Sequence, residues 1–271
     1  MACEHDIPRQ PGETILEVKD LSFSYHVHTP VLKQINMHIP AGQICGLFGP
    51  NGCGKTTLFR CCMNFLQPSE GEINLLGKPL SSFTPSHLAQ HIAYVPQNHQ
   101  LALSYTVQEM VAMGRSPHIG IIPTLSANDH HIIDHVINKT GLAPLAQRRF
   151  SDLSGGQRQL VLVARALAQQ AALIFLDEPT SSLDFSNQLL VWEALAPIAK
   201  EGVGIFICCH DPNHILWFCD SVVMMNNGTL LGQGDVSSMM TEDNLHTLYG
   251  RKIAIKTVEK QSFIYFDRQT A

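Results

Sequence analysis

The sequence predicts an α/β fold with a central parallel sheet and a phosphate-binding loop. Two observations predict it. An apolar stretch at residues 43–48 runs through a glycine-rich loop into an amphipathic helix beginning at Lys55. Two further continuous apolar runs, at 173–176 and 203–208, suit strands buried on both faces of a parallel sheet, with a helical stretch at 187–200 between them.

The elements follow in order. Residues 15–25 and 31–39 alternate as strands do, and Pro40, Ala41 and Gly42 form a turn signal before the first buried strand. Past Lys55 the period changes. Leu58, Cys61, Cys62, Phe65 and Leu66 fall on one face of a helix. Residues 72–76 and 92–95 read as further strands. The next part is mostly helical. Thr106 and Glu109 have capping-box spacing, and Ser126 can cap a helix carrying Ile132, Ile133, Val136 and Ile137, with Gly141 placed to end it. Ser154 can cap a third helix reaching Gln170. Within 222–231, Asn227-Gly228 signals a two-residue hairpin, and the tail at 253–266 can form another.

Bulk properties exclude several classes. The chain has 271 residues, 45% hydrophobic and 15% charged, a globular composition with length for a sizeable core. Its net charge of −5 lacks a nucleic-acid footprint. The eight cysteines include no CxxC pair and several lie in apolar runs, so buried free thiols in a reducing compartment are expected. Residues 1–11 are polar, without a secretory h-region. The most apolar long stretch, 160–176, carries Arg165, Gln169 and Gln170, which makes a poor membrane span. A cytosolic protein that meets a membrane through a partner is expected.

Gly49, Pro50, Asn51, Gly52, Cys53, Gly54, Lys55 and Thr56 fit GxxxxGK(S/T) in full, and Thr57 continues the loop into the helix. Glycines let the backbone curl around phosphate, amide N–H groups point inward, and the helix N-terminus adds positive potential. Lys55 adds a point charge toward the β and γ phosphates, and the Thr56 hydroxyl is placed to ligate Mg²⁺. Cys53 inside the loop reads as a spacer, with a reactive thiolate as the alternative. The apolar run 173–176 ends in Asp177 and Glu178. At the carboxyl end of a central strand, Asp177 suits the Mg²⁺ shell and Glu178 suits polarising a water. Ser154, Gly155, Gly156 and Gln157, after Leu153, open a second anion-binding helix start.

With LSGGQ at 153–157 beside these motifs, nearly the whole chain resembles the ATP-binding cassette (ABC) ATPases. The resemblance implies a P-loop, RecA-like nucleotide-binding core with an antiparallel β subdomain and a helical subdomain at about 98–158, all within one domain spanning 1–271. It implies ATP and Mg²⁺ as cofactors. It also implies a head-to-tail dimer, in which Ser154 to Gln157 of one copy close over ATP in the phosphate loop of the other. Tyr25 matches the aromatic that stacks on adenine. Gln97 matches the glutamine that reaches Mg²⁺ and the attacking water and senses the membrane partner. Asp184, in the loop 181–184, matches the interface loop. His210 matches the histidine on the γ-phosphate.

A single cassette of this kind needs separate permease subunits. Residues 106–118 and 183–188 resemble ATPases serving importers of iron-siderophore, haem and cobalamin, so metal-chelate import is expected, with a solute-binding protein as an indirect partner and no nucleic acid. The expected location is the cytoplasmic face of the inner membrane. An exporter ATPase and a soluble ABC ATPase acting on nucleic acid or ribosomes are the alternatives. The permease is expected to dock near Gln97 and the following segment, with Leu101, Leu103 and Tyr105 as candidate contacts. His130, His131 and His135 share a helix and read as a solvated face rather than a metal site.

Overall fold

Alternating strands open the fold. β1 (Thr14–His26) pairs antiparallel with β2 (Thr29–Pro40), burying Leu16, Val18, Leu21 and Phe23 on one face. After Gly42 the chain enters β3 (Ile44–Phe48), every residue of which is buried, and passes through residues 49–54 into α1 (Lys55–Cys62). β4 (Glu70–Leu75) and the short β5 (Lys78–Pro79) complete a four-stranded antiparallel sheet of order β2-β1-β4-β5. The computed structural model describes residues 10–26, 29–97, 104–120, 124–181 and 183–266.

The helix after the glycine loop is shorter than its apolar pattern. It ends at Cys62, because Asn64 takes a left-handed φ of 62° and the N–H groups of Phe65 and Leu66 both turn back to the Arg60 carbonyl. Phe65 is therefore off the buried face and 64% exposed, against the expectation that it would pack with Leu58 and Cys62.

α2 (Pro85–His91), capped by Thr84, leads into β6 (Ile92–Val95). The helical part follows as α3 (Val107–Ala112), a 3₁₀ turn over Met113–His118, α4 (Ala127–Lys139) and α5 (Gly155–Ala168). Thr106–Glu109, Ser126–Asp129 and Ser154–Gln157 all form reciprocal capping boxes. Gly141 follows α4 at φ +69°, where a side chain would be strained. β7 (Leu173–Asp177), α6 (Phe185–Lys200), β8 (Gly204–Cys208), α7 (Pro212–Phe218), β9 (Ser221–Asn226) and β10 (Thr229–Asp235) build the rest of the core. α8 (Val236–Met239), α9 (Glu242–Tyr249) and the hairpin of β11 (Ile253–Val258) with β12 (Gln261–Phe266) close the described chain.

The main sheet has the order β10-β9-β3-β8-β7-β6, parallel except for the edge strand β10. One apolar cluster joins it to β1, β2 and α1, and a second joins it to α3 through α7. Burial on both faces explains the continuous apolar runs of β3, β7 and β8. Among the described residues no helix is long and apolar enough to cross a membrane.

A buried ion pair fastens the helical segment to the core. Arg115, 4% exposed, donates to Asp129 Oδ1 at 2.8 Å, to the Ala168 carbonyl at 2.6 Å and to Gln170 Oε1 at 3.0 Å. Arg115→Ala strands these acceptors and is expected to cost about 3–5 kcal/mol, read as a lowered urea midpoint. The Ser126 hydroxyl first, and then Arg115, hold the Asp129 carboxyl down from its ordinary 3.8 to about 2, against the opposing effect of burial. A depressed carboxylate contributes stability above its ordinary value and loses it as pH falls through the folded one. The urea midpoints of wild type and Asp129→Asn should therefore converge as pH drops from about 4 to 2.

Candidate functional site

Strand order, more than any single motif, assembles the site. β3, β8, β7 and β6 are adjacent and parallel, so their carboxyl ends lie side by side. Those ends lead respectively into the glycine loop, His210, Asp177 with Glu178, and Gln97. Four segments scattered over 160 residues thus meet at one edge.

In the loop, Gly49 and Gly54 are required sterically. A Cβ on Gly49 would lie 2.2 Å from the Met225 carbonyl oxygen. One on Gly54 would meet Leu32 at 2.9 Å, at a φ of +109°. Lys55 is buried at 6% exposure, and its Nζ donates to the carbonyls of Gly49 and Pro50 at 2.7 and 2.9 Å. The ammonium thus spans the loop and draws it closed. Cys53 is 4% exposed and its thiol is pushed up by burial, against a smaller opposing pull from Lys55. That environment disfavours the reactive thiolate.

Glu178 has a left-handed backbone, φ 49°, a costly conformation for a residue with a side chain. It is held there by its N–H on the Cys208 carbonyl at 3.1 Å and by its own carbonyl, which accepts from Ser181 Oγ at 3.1 Å. Both carboxylate oxygens are engaged. Gln97 Nε2 donates to Oε2 at 2.6 Å, and His210 Nε2 meets Oε1. Asp177 lies beneath, 7% exposed, with its carboxyl raised by burial first and by the neighbouring Glu178 second.

A cleft of about 420 Å³ opens above these groups, lined by Asn51, Gly52, Gly54, Lys55, Thr56, Thr57, Gln97, Glu178, His210 and Val31. Its volume falls within the range of small-molecule sites. Tyr25 stands at its margin, 49% exposed, with its hydroxyl 3.4 Å from Thr57 Oγ1 and its ring edge-to-face with Phe23. The lining contains none of Ser154, Gly155, Gly156 or Gln157. Ser154 Oγ instead accepts from the Gln157 N–H and starts α5. A Cβ on Gly156 would strike the Asn187 side chain 2.1 Å away, so α5 and α6 approach here only through a glycine. Asp184 is exposed and caps α6, accepting from the Asn187 N–H at 2.9 Å. Ser182 in the same loop lies outside the described residues.

A profile of the ABC transporter family matches residues 32–181. An ABC transporter ATP-binding protein of Haemophilus influenzae is 39% identical over 87% of this chain and 89% of its own length. The chain belongs to the ABC transporter family. The iron(3+)-hydroxamate import ATP-binding protein of Bacillus subtilis is 36% identical over 81% of this chain and 82% of its own length. Among solved structures, an inward-facing metal-chelate type ABC transporter contains a chain that superposes with a TM-score of 0.81 at 31% identity, covering 94% of this chain and 97% of that one. As a family member the protein is an ATP-binding subunit whose ATP hydrolysis is coupled to transport.

Within this cassette, sequence reading overlooked Val31, Arg60 and Tyr94. Val31 lines the cleft from β2, and its only sequence signal was an apolar residue in a strand. Arg60 and Tyr94 neighbour Asp177. The guanidinium favours its charged form, and burial first, then the Asp177 charge, pushes the Tyr94 hydroxyl up to about 12. Leu101 and Leu103 lie outside the described residues, and Tyr105 is 37% exposed. His130, His131 and His135 are exposed on α4. The seven described cysteines are unpaired, six of them buried.

Proposed function

We propose that this chain powers import of a metal chelate of the iron-siderophore, haem or cobalamin type, with Glu178 as the residue that activates water. One observation carries the catalytic part. Gln97 and His210 converge on opposite oxygens of Glu178 at the mouth of the phosphate-loop cleft. The substrate class is supported by likeness to the iron(3+)-hydroxamate and metal-chelate systems.

The reaction follows from the groups in place. Phosphate oxygens replace the Gly49 and Pro50 carbonyls as partners of Lys55, while the loop N–H groups and the start of α1 hold the remaining charge. Tyr25 stacks on the adenine, and Val31 packs beside it. His210 and Gln97 release Glu178 as His210 turns to the γ-phosphate and Gln97 to the attacking water. Glu178 accepts a proton from that water as its oxygen bonds to the γ-phosphorus and the bond to ADP breaks.

Thr56, Asp177 and Gln97 offer hard oxygen donors that suit Mg²⁺. Asp177, buried beside Glu178, is a carboxylate that a cation would stabilise. The Cys208 thiol clusters with this pair, but burial pushes it far up, so it offers no thiolate for a soft metal. When bound, Mg²⁺ neutralises charge developing on the transferred phosphoryl group.

In the proposed head-to-tail dimer, Ser154 to Gln157 of another copy supply a second wall to this cleft, and Asp184 lies at the same interface. Residues 98–158 act as a helical subdomain of one 271-residue unit and receive the permease near Gln97. The protein sits at the cytoplasmic face of the plasma membrane through that contact, and a solute-binding protein delivers the chelate. In a Glu178→Gln background, ATP should drive dimerisation seen by light scattering, and Ser154→Ala should abolish it. Dimers that survive that substitution overturn the cross-subunit site. For the substrate, the permease that co-purifies should be reconstituted and chelates screened for stimulated ATP hydrolysis. Stimulation by a non-chelate solute alone would remove this reading.

A further inference from the structure

We infer that His87 and His91 form a binding site for a divalent transition-metal ion of the Ni²⁺, Cu²⁺ and Zn²⁺ class. The two residues are four apart on α2 and so share one face on consecutive turns. Their Nε2 atoms lie 3.2 Å apart. Two metal–imidazole bonds of about 2.0–2.1 Å separate their nitrogens by about 3.3 Å at a tetrahedral angle and about 2.9 Å at a right angle. The observed spacing, at which the two rings hydrogen-bond to each other, matches the bite of one ion that takes both nitrogens in place of that bond.

Both rings are held in place from behind. Phe83, 7% exposed, stacks on His87 with centroids 5.2 Å apart and meets His91 edge-on at 5.7 Å. The end of the helix is pinned as well. Gln169 Nε2 donates to the carbonyls of Ala89 and Ile92, and Gln90 Nε2 donates to the Pro117 carbonyl at 2.9 Å. A pair already ordered in this way loses little freedom on binding. His87 is exposed and His91 half-buried, so water can complete the coordination. Neither lines the ATP cleft. His91 directly precedes β6, whose far end leads to Gln97, so an ion here would clamp the turn feeding that strand.

The test is calorimetric titration of the full-length chain with Ni²⁺ at pH 7.5, compared among wild type, His87→Ala, His91→Gln and the double variant His131→Ala/His135→Ala. The α4 pair has the same spacing and serves as the internal control. Either α2 substitution should weaken Ni²⁺ binding by roughly 10-fold or more, since a lone imidazole is a poor site. The α4 variant should bind as wild type does. Unchanged melting temperature and unchanged Mg²⁺-dependent ATPase activity in the absence of Ni²⁺ show that the α2 variants are folded. Ni²⁺ affinity unchanged in both α2 variants, or lost only in the α4 variant, overturns the proposal and leaves His87 and His91 as a hydrogen-bonded pair.

Discussion

Glu178→Gln is expected to bind ATP normally and to lose hydrolysis by roughly 10²–10⁴-fold, the range for removal of a general base. The amide keeps the size and one carbonyl oxygen of the carboxylate. Gln97 can still donate to it, and the left-handed backbone is set by the Cys208 and Ser181 contacts, which the substitution does not touch. Only the proposed proton acceptor disappears. Single-turnover phosphate release checks the rate, and a fluorescent nucleotide checks the affinity. Activity within a few-fold of wild type would assign water activation to another group. Because the substitution blocks hydrolysis and not binding, the same variant should accumulate any ATP-closed dimer.

Lys55→Ala should act on the preceding step. The ammonium is 6% exposed and bonded to two loop carbonyls, so its loss removes a buried charge and leaves those oxygens without their donor. A charge-assisted hydrogen bond is worth about 1.5–3 kcal/mol, which predicts roughly 10–100-fold weaker MgATP binding with hydrolysis lost as a consequence. Equilibrium titration of the nucleotide is the measurement. Unchanged affinity would show that Lys55 closes the loop without reaching the phosphates. The two variants should separate cleanly: one keeps the nucleotide and cuts it far more slowly, the other holds it less tightly.

The parts of this protein that were legible in its sequence are those governed by neighbours along the chain. The capping boxes at Thr106, Ser126 and Ser154 formed as their spacing required, because each closes within four residues. The Asn227-Gly228 turn joined β9 to β10 for the same reason. The apolar face assigned from Leu58 to Leu66 was overestimated, since periodicity does not register the left-handed residue at Asn64 that ends the helix. Arg115 passed unnoticed. Its acceptors lie 14, 53 and 55 residues away, and an arginine in a helical stretch reads as surface until the fold buries it.

Residue type and local spacing alone specified a phosphate loop, a pair of carboxylates after a buried strand and a second helix start shaped for an anion. They left open how these pieces meet. The order β3-β8-β7-β6 made that choice, bringing the loop, His210, Glu178 and Gln97 to one edge of the sheet while leaving Ser154 to Gln157 out of the cleft. The physical reason is that side-chain chemistry and capping act over a few residues, whereas strand neighbours are selected by burial of the whole sheet between two apolar layers. The contacts of Gln97 and His210 with Glu178, across 81 and 32 residues of chain, exist only as a consequence of that packing.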